Sequence, residues 1–510
     1  MIPTPLSMVA EQCAGVLLDA LHSAAEGDVA GQSAADELVS TVVTDNRQVV
    51  AGSLFVAIKG ERVDGNNYAG AALAAGAVGV LTDNPQAAQD SGAAPERIIA
   101  VSDSVTAMGN LAREQLVQVR QQGRPDFTVV AVTGSVGKTT TKDLLAALLA
   151  ERGPIVAPPN SFNNPIGLPL TVLRADAHTA TLVLEMGADH VGNIEYLTRI
   201  APPDVAIVLI VARAHLGEFG GIDNVARAKS ELVRGAREGA PVILNGDDVR
   251  VVAMSEYAHG PVLYFSTRGR TLEAGLKAAI YASDIQVSGS EHAAFTLHTP
   301  AGAAPVQLAL VGEHHVANAL AAAAAAYAVG ISVDHIAQVL STTGPVSAHR
   351  MAISSVRGAT IIDDAYNANP DSMRAGIRAL ARLGRGKRTV AVLGKMNELG
   401  EHSAAEHRAI GRIVAEEGVQ LLFTVGKDPD MQELRAEAEL ASAQAGGSLT
   451  TQMFSNVDEI IAELPTLIAP GDVVLLKGSN ASLVWTIADA LAERDSAARP
   501  AQEALGVEGE

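Results

Sequence analysis

One cysteine, one tryptophan and an aromatic content of 3% in 510 residues put several protein classes out of reach. Cys13 alone cannot build a disulfide framework or a cysteine-based zinc site. Basic residues are also scarce: 37 Lys and Arg stand against 57 Asp and Glu, a formal net charge of -20. So acidic a chain lacks the basic surface that neutralises phosphates, and no nucleic-acid partner is expected. Small anions are a different matter, because a few local cations and backbone amides hold them. No Lys or Arg precedes Arg47, so the positive region of a signal peptide is missing. Long apolar runs are absent too. The stretch 316–333 is mostly alanine and contains Asn318, too weak for a membrane span. Its six alanines, 321–326, suit a closely packed internal helix instead. The expectation is a cytoplasmic chain with no membrane span.

What the chain does have is length and apolar content. At ~100–200 residues per domain it divides into about three. A polar stretch, Gln121–Pro125, and a second break at Gly344-Pro345 give expected domains 1–124, 125–344 and 345–493, with 494–510 as an irregular tail. Short apolar runs alternate with amphipathic segments from Phe127 onward. The runs at 127–132, 181–184, 205–210 and 242–244 lack strict alternation, which predicts strands buried on both faces of a mostly parallel sheet. The alternation resumes at 360–362, 389–393, 421–425 and 473–476. The fold class expected is α/β, in three domains.

Thr133-Gly134-Ser135-Val136-Gly137-Lys138-Thr139-Thr140 follows one of these strands and opens a helix. Glycines let the backbone turn its N–H groups inward, and the helix N-terminus adds a positive dipole end. Lys138 is placed to reach the β- and γ-phosphates of ATP, and the Thr139 hydroxyl to ligate Mg²⁺. The loop is a short variant that starts at Gly134, Val132 standing where the longer form has glycine. Metal ligands are expected at the carboxyl ends of neighbouring strands. Glu185 closes the apolar run 181–184, and His215 follows the run 205–210. A buried carboxylate needs an ion partner. A lone histidine is more often structural than ligating.

The set TGSVGKTT, LEMG around Glu185, AHLGEFG around His215 and RAKSEL around Lys229 resembles the Mur ligases. These are ATP-dependent enzymes that extend the UDP-muramoyl peptide precursor of peptidoglycan. DDAYNANPDSM (363–373), SFNNPIGLP (161–169) and VLGKMNELG (392–400) are similar to the member that adds D-alanyl-D-alanine to UDP-N-acetylmuramoyl-tripeptide. The resemblance covers about residues 40–490. It implies an N-terminal UDP-precursor domain, a central P-loop-type ATPase domain and a C-terminal Rossmann-like domain, in a monomer.

The resemblance also implies residue roles. Asn46, Arg47, Asp64 and Gly65 match the UDP-binding segments, and arginine offers a fork of donors to a pyrophosphate. Asn163, Asn164, Tyr366, Asn367 and Asn369 fall on the substrate side. Lys229 is implied to carry a carbamate that joins Thr139, Glu185 and His215 at the metal; by itself it reads as a surface lysine. His314 and Asn318 lie on the adenine segment, although Asn318 also suits plain helix–helix bonding. Arg350 is implied to reach the γ-phosphate and Asp364 the ribose. Lys138, His215, Lys229 and Arg350 form the expected catalytic set. Several positions depart from the family: Asn46, Asn66, Ile210, Ala212, Arg213, His315 and Lys395. The readings left open beside this one are a related amide ligase, such as a folylpolyglutamate synthase, and a weakened relative that binds nucleotide without turnover.

Overall fold

The computed structural model describes residues 1–18, 33–212, 219–289 and 291–503. Among the described residues a two-stranded sheet, Thr4–Pro5 with Leu38–Val39, accompanies three larger ones that succeed one another along the chain. In the first, strands β1 (Thr41–Val43), β2 (Ser53–Val56), β3 (Gly79–Thr82) and β4 (Ile98–Ala100) run parallel in that spatial order. A short antiparallel strand, Val16–Leu17, edges β4. Both β2 and β3 are buried along their whole length, which is why each reads as a continuous apolar run.

The central sheet has nine strands. They are β5 (Thr128–Thr133), β6 (Ile155–Val156), β7 (Thr181–Glu185), β8 (Val205–Val208), β9 (Val242–Asn245), β10 (Val262–Ser266), β11 (Ile280–Val287), β12 (His292–Thr299) and β13 (Gly302–Val311). The spatial order is β13-β12-β11-β10-β9-β8-β5-β7-β6. All pairings are parallel except the last two, β11–β12 and β12–β13. One face packs Val129, Ala131, Leu182 and Leu184 toward helix α1 (Ser104–Gln122). The opposite face packs Val130, Val132 and Val183 against helix α2 (Lys138–Leu149) and the alanine helix α4 (His315–Ala328). Between these in sequence lies α3 (Ile222–Arg234). All of Ala321–Ala326 are fully buried, and α4 lies directly on α2. Alanine lets two helices approach closely without a cavity.

The third sheet comprises β14 (Ala352–Val356), β15 (Ala359–Asp363), β16 (Thr389–Leu393), β17 (Leu421–Val425), β18 (Thr450–Phe454) and β19 (Val473–Lys477), in the order β14-β15-β19-β16-β17-β18. Only β14 is antiparallel to its neighbour. Helix α5 (Pro370–Leu383) crosses from β15 to β16, opened by an Asn369–Ser372 capping box. This is a doubly wound α/β layer, as expected.

One expectation fails here. The stretch from Arg494 is not irregular throughout, because the last helix, Trp485–Glu503, runs through it. Ala, Glu and Arg favour helix, and they outweigh the polarity that suggested a loose tail. Residues 504–510 lie outside the described residues. Among the described residues no helix is long and apolar enough to cross a membrane.

Candidate active site

In the central sheet β8, β5 and β7 are parallel neighbours, so their carboxyl ends lie side by side. The loop 134–137 leaves β5 there and enters α2. Gly137 takes the left-handed conformation at φ 84°, and a Cβ on it would sit 2.3 Å from Asn318 Oδ1. Only glycine meets both conditions. Ser135 fastens the loop to the strand beside it: its hydroxyl donates to Ala212 O at 3.1 Å and accepts from Ala212 N at 2.9 Å. Lys138 Nζ donates to Gly134 O at 2.9 Å across the loop. Burial pulls its pKa down, with Glu185 opposing and Arg350 reinforcing that shift. Thr133 is fully buried, its hydroxyl without a partner, and Val136 and Thr140 are half-buried in the loop and first helical turn.

Thr139 is the hub. Its hydroxyl lies 2.9 Å from Glu185 Oε2, 2.9 Å from Ser161 Oγ and 3.0 Å from Arg350 Nη2. Glu185 is 1% exposed, and its other oxygen accepts from Asn163 Nδ2 at 2.8 Å. Arg350 also reaches Ser161 Oγ at 3.3 Å and stacks on Tyr366, 4.0 Å from the ring centre. Both its neighbours, His349 (φ 59°) and Met351 (φ 51°), adopt left-handed backbone. Such conformations persist where surrounding contacts over-determine them. Here His349 Nδ1 lies 2.8 Å from Asp363 Oδ2, and Tyr366 N donates to His349 O at 3.2 Å.

Lys229, on α3, is buried. Burial, with Lys138 nearby, lowers its pKa to about 7. A surface lysine is therefore not what the fold makes of it. His215 and Arg213 lie outside the described residues. At the start of α4, His315 Nδ1 lies 3.2 Å from Asn318 Nδ2, and the His314 and His315 rings are 4.0 Å apart. Burial lowers the pKa of His315. Asp364 pairs with the fully buried Lys477, whose ammonium also donates to Asn367 O at 3.2 Å.

Some expected site residues are committed locally. Asn164 Oδ1 accepts from Gly167 N at 2.8 Å, and Asn369 Oδ1 from Ser372 N at 2.9 Å, so each caps the turn that follows. Asp64 caps the turn 65–68 through Asn66 N, and Gly65 presses against Ile58, where a Cβ would meet backbone at 2.7 Å. Asn46 and Arg47 follow β1, and the exposed Arg47 pairs with Asp45 at 2.7 Å. These four sit at the carboxyl edge of the first sheet, and among the described residues no hydrogen bond joins them to the Thr139 cluster.

Three residues were missed as site members. Ser161 is a direct partner of Thr139; Lys142 and Lys477 are buried cations beside the cluster and beside Asp364. Lys477 was findable, because a charge closing the apolar run 473–476 is the same signal that exposed Glu185.

A Mur ligase middle-domain model matches residues 132–326, the Mur ligase catalytic-domain model 38–116, and the Mur ligase glutamate-ligase-domain model 349–480. The UDP-N-acetylmuramoyl-tripeptide–D-alanyl-D-alanine ligase of Mycobacterium tuberculosis is 40% identical over 499 residues, covering 92% of this chain and 96% of that protein. The chain belongs to the Mur ligase family. The ligase of the same name from Escherichia coli is 34% identical to this Mur ligase over 481 residues, covering 94% and 98%. Among solved structures, MurF from Acinetobacter baumannii superposes with a TM-score of 0.79 at 31% identity, covering 96% of this chain and 99% of that one. The MurF ligase from Thermotoga maritima in complex with ADP gives 0.71 at 28% identity, covering 89% and 99%. The Thr139 cluster lies within the middle-domain match except for Arg350, which opens the third one.

Proposed function

We propose that this Mur ligase joins D-alanyl-D-alanine to the terminal carboxylate of UDP-N-acetylmuramoyl-tripeptide at the expense of ATP. The observation that carries this reading is identity of 40% across 92% of the chain to a ligase named for that reaction. The Thr139 cluster supports the chemistry. A carboxylate oxygen attacks the γ-phosphorus, the bond to the β-phosphate oxygen breaks, and ADP leaves an acyl phosphate. The dipeptide amine then adds to the acyl carbon, loses a proton, and expels inorganic phosphate as the C–O bond breaks.

Two anions must approach in the first step, and unit charges ~4 Å apart repel by about 4 kcal/mol at an effective dielectric of 20. Arg350 bonds to the hydroxyl cluster, Lys138 lies within electrostatic reach of Glu185 and Arg350, and the two cations together offset that repulsion. Thr139 and Glu185, a hydroxyl and a carboxylate 2.9 Å apart, suit Mg²⁺ and would hold it. When bound, Mg²⁺ supplies charge neutralisation between the β- and γ-phosphates. His215 and a Lys229 carbamate belong to the same reading as further ligands, and a neutral amine near pH 7 supports carbamate formation at Lys229. Thr133–Thr140 cradle the phosphates, His314 and Asn318 flank the base, and Asp364, steadied by Lys477, takes the ribose. Asn46, Arg47, Asp64 and Gly65 take the UDP end; Asn163, Tyr366 and Asn367 face the reacting carboxylate and dipeptide. Asn164 and Asn369 support that surface as caps. The enzyme acts in the cytoplasm as a monomer, with domains 1–124, 125–344 and 345–493.

The test is product identification across an acceptor panel. D-alanyl-D-alanine should give the UDP-muramoyl pentapeptide, while single amino acids and glutamate should give none. Preference for a single amino acid would select a related ligase instead.

A further inference from the structure

Lys142 stands one helical turn after Lys138 on α2, and its side chain is only 3% exposed. Taking an ammonium out of water is costly unless partners replace the lost hydration. Three partners do so, each from a different segment. Its Nζ lies 2.7 Å from Asp143 Oδ1, donates to Pro158 O at 2.8 Å, and reaches Ser347 Oγ at 3.4 Å. Asp143 completes the tie, its second oxygen accepting from Ser347 N at 3.2 Å. Pro158 leads into the loop that carries Ser161 and Asn163. Ser347 lies three residues before Arg350, on the linker between the second and third sheets. The Lys142–Asp143 pair therefore fixes two segments, and both end on Thr139: Ser161 and Arg350 each reach its hydroxyl.

We infer that Lys142 and Asp143 are positioning residues for the phosphoryl-transfer step, setting Arg350 and Ser161 on Thr139 without touching substrate. The left-handed backbone at His349 and Met351 makes such a tie necessary. Arg350 sits in a segment that relaxes unless it is held on both sides. His349 is held by Asp363 on the third sheet, and Ser347 by Asp143 on helix α2 beside the central sheet. The arginine thus lies between one anchor on each domain, and its guanidinium is in place only while both anchors hold. This rests on the proposed role of Arg350 at the γ-phosphate.

The test is Lys142→Met, which keeps the length and apolar stem and removes the charge, with Arg350→Lys as its partner in a double-mutant cycle. Lys142→Met should lower kcat about a hundredfold, the loss expected from a misplacement of about 1 Å, with KM for ATP and UDP-tripeptide within about twofold. The double variant should lose little more than the worse single variant, because both act through one group. A purely structural lysine would instead lower the melting temperature while leaving kcat per folded molecule unchanged. A kcat within about threefold of wild type, or losses that multiply in the double variant, overturns the inference. If Lys142→Met does not fold, Asp143→Ala is read by the same criteria. If Arg350→Lys alone leaves kcat unchanged, the role of Arg350 fails and this inference falls with it.

Discussion

Arg350 and Thr139 are 211 residues apart in sequence and 3.0 Å apart in the fold. The contact joins the linker of the third domain to the first turn of the phosphate-loop helix. It makes the catalytic cluster a product of two domains rather than of one loop. Arg350→Ala should therefore lower kcat by about 10³ while weakening ATP binding only a few-fold, since the charge it meets develops in transfer. Single-turnover kinetics beside nucleotide titration separates the two effects.

Lys138 answers a different question. Its ammonium is held across the loop by Gly134 O, and the role proposed for it is at the transferred phosphate. Lys138→Ala should abolish turnover and leave the dissociation constant for the UDP-tripeptide nearly unchanged. Calorimetric titration of that substrate checks the second half, and equal loss of both would remove the lysine from the phosphate site.

Gly137 couples the loop to the alanine helix. Alanine there must adopt φ 84° and bring its Cβ within 2.3 Å of Asn318 Oδ1. Gly137→Ala should destabilise the protein by more than about 1 kcal/mol and weaken ATP binding, both read by thermal unfolding with and without nucleotide.

Lys229 gives a pH signature. Its pKa falls from 10.5 in the unfolded chain to about 7 when buried, so between those values the unfolded state holds one more proton. Stability from this group therefore rises with pH across that window, by at most about 1.4 kcal/mol per unit, and the cost of burying the charge is fully felt below pH 7. Lys229→Met should be more stable than wild type at pH 6.5 by a margin that shrinks toward pH 9. Turnover of the wild type should fall in CO₂-depleted buffer and return with bicarbonate, a response that Lys229→Met lacks.

Glu185→Gln should raise the Mg²⁺ concentration for half-maximal rate by about tenfold or more, because the amide keeps the bonds to Thr139 and Asn163 but loses the charge. A metal titration of activity checks it.

Much of this site was legible before the fold was known, and the reasons are local. Glu185 showed itself as a carboxylate closing an apolar strand, and the phosphate loop by glycine, lysine and threonine between a strand and a helix. Lys229 did not show itself by residue type, although it stands four residues after Val225 and four before Val233 on the buried face of α3; a lysine at such a position reads as one whose ammonium reaches back to water. The antiparallel strands β11–β13 escaped notice as well. Their faces alternate between buried and exposed, with alanine and histidine diluting the apolar positions. The ties around Arg350 were illegible for a third reason: left-handed backbone at His349 and Met351 is imposed by tertiary contacts, and neither residue type announces it. The end of the chain misled in the opposite sense, since polarity there coincides with helix-forming residues.

The most direct measurement is phosphate release from ATP with Mg²⁺, UDP-N-acetylmuramoyl-tripeptide and D-alanyl-D-alanine, omitting one component at a time, with the tripeptide carboxylate labelled with ¹⁸O. The account predicts release only when all are present, with one labelled oxygen carried into the phosphate. ATP binding without release, or release with no label, would contradict an acyl-phosphate ligase built on Thr139, Glu185 and Arg350.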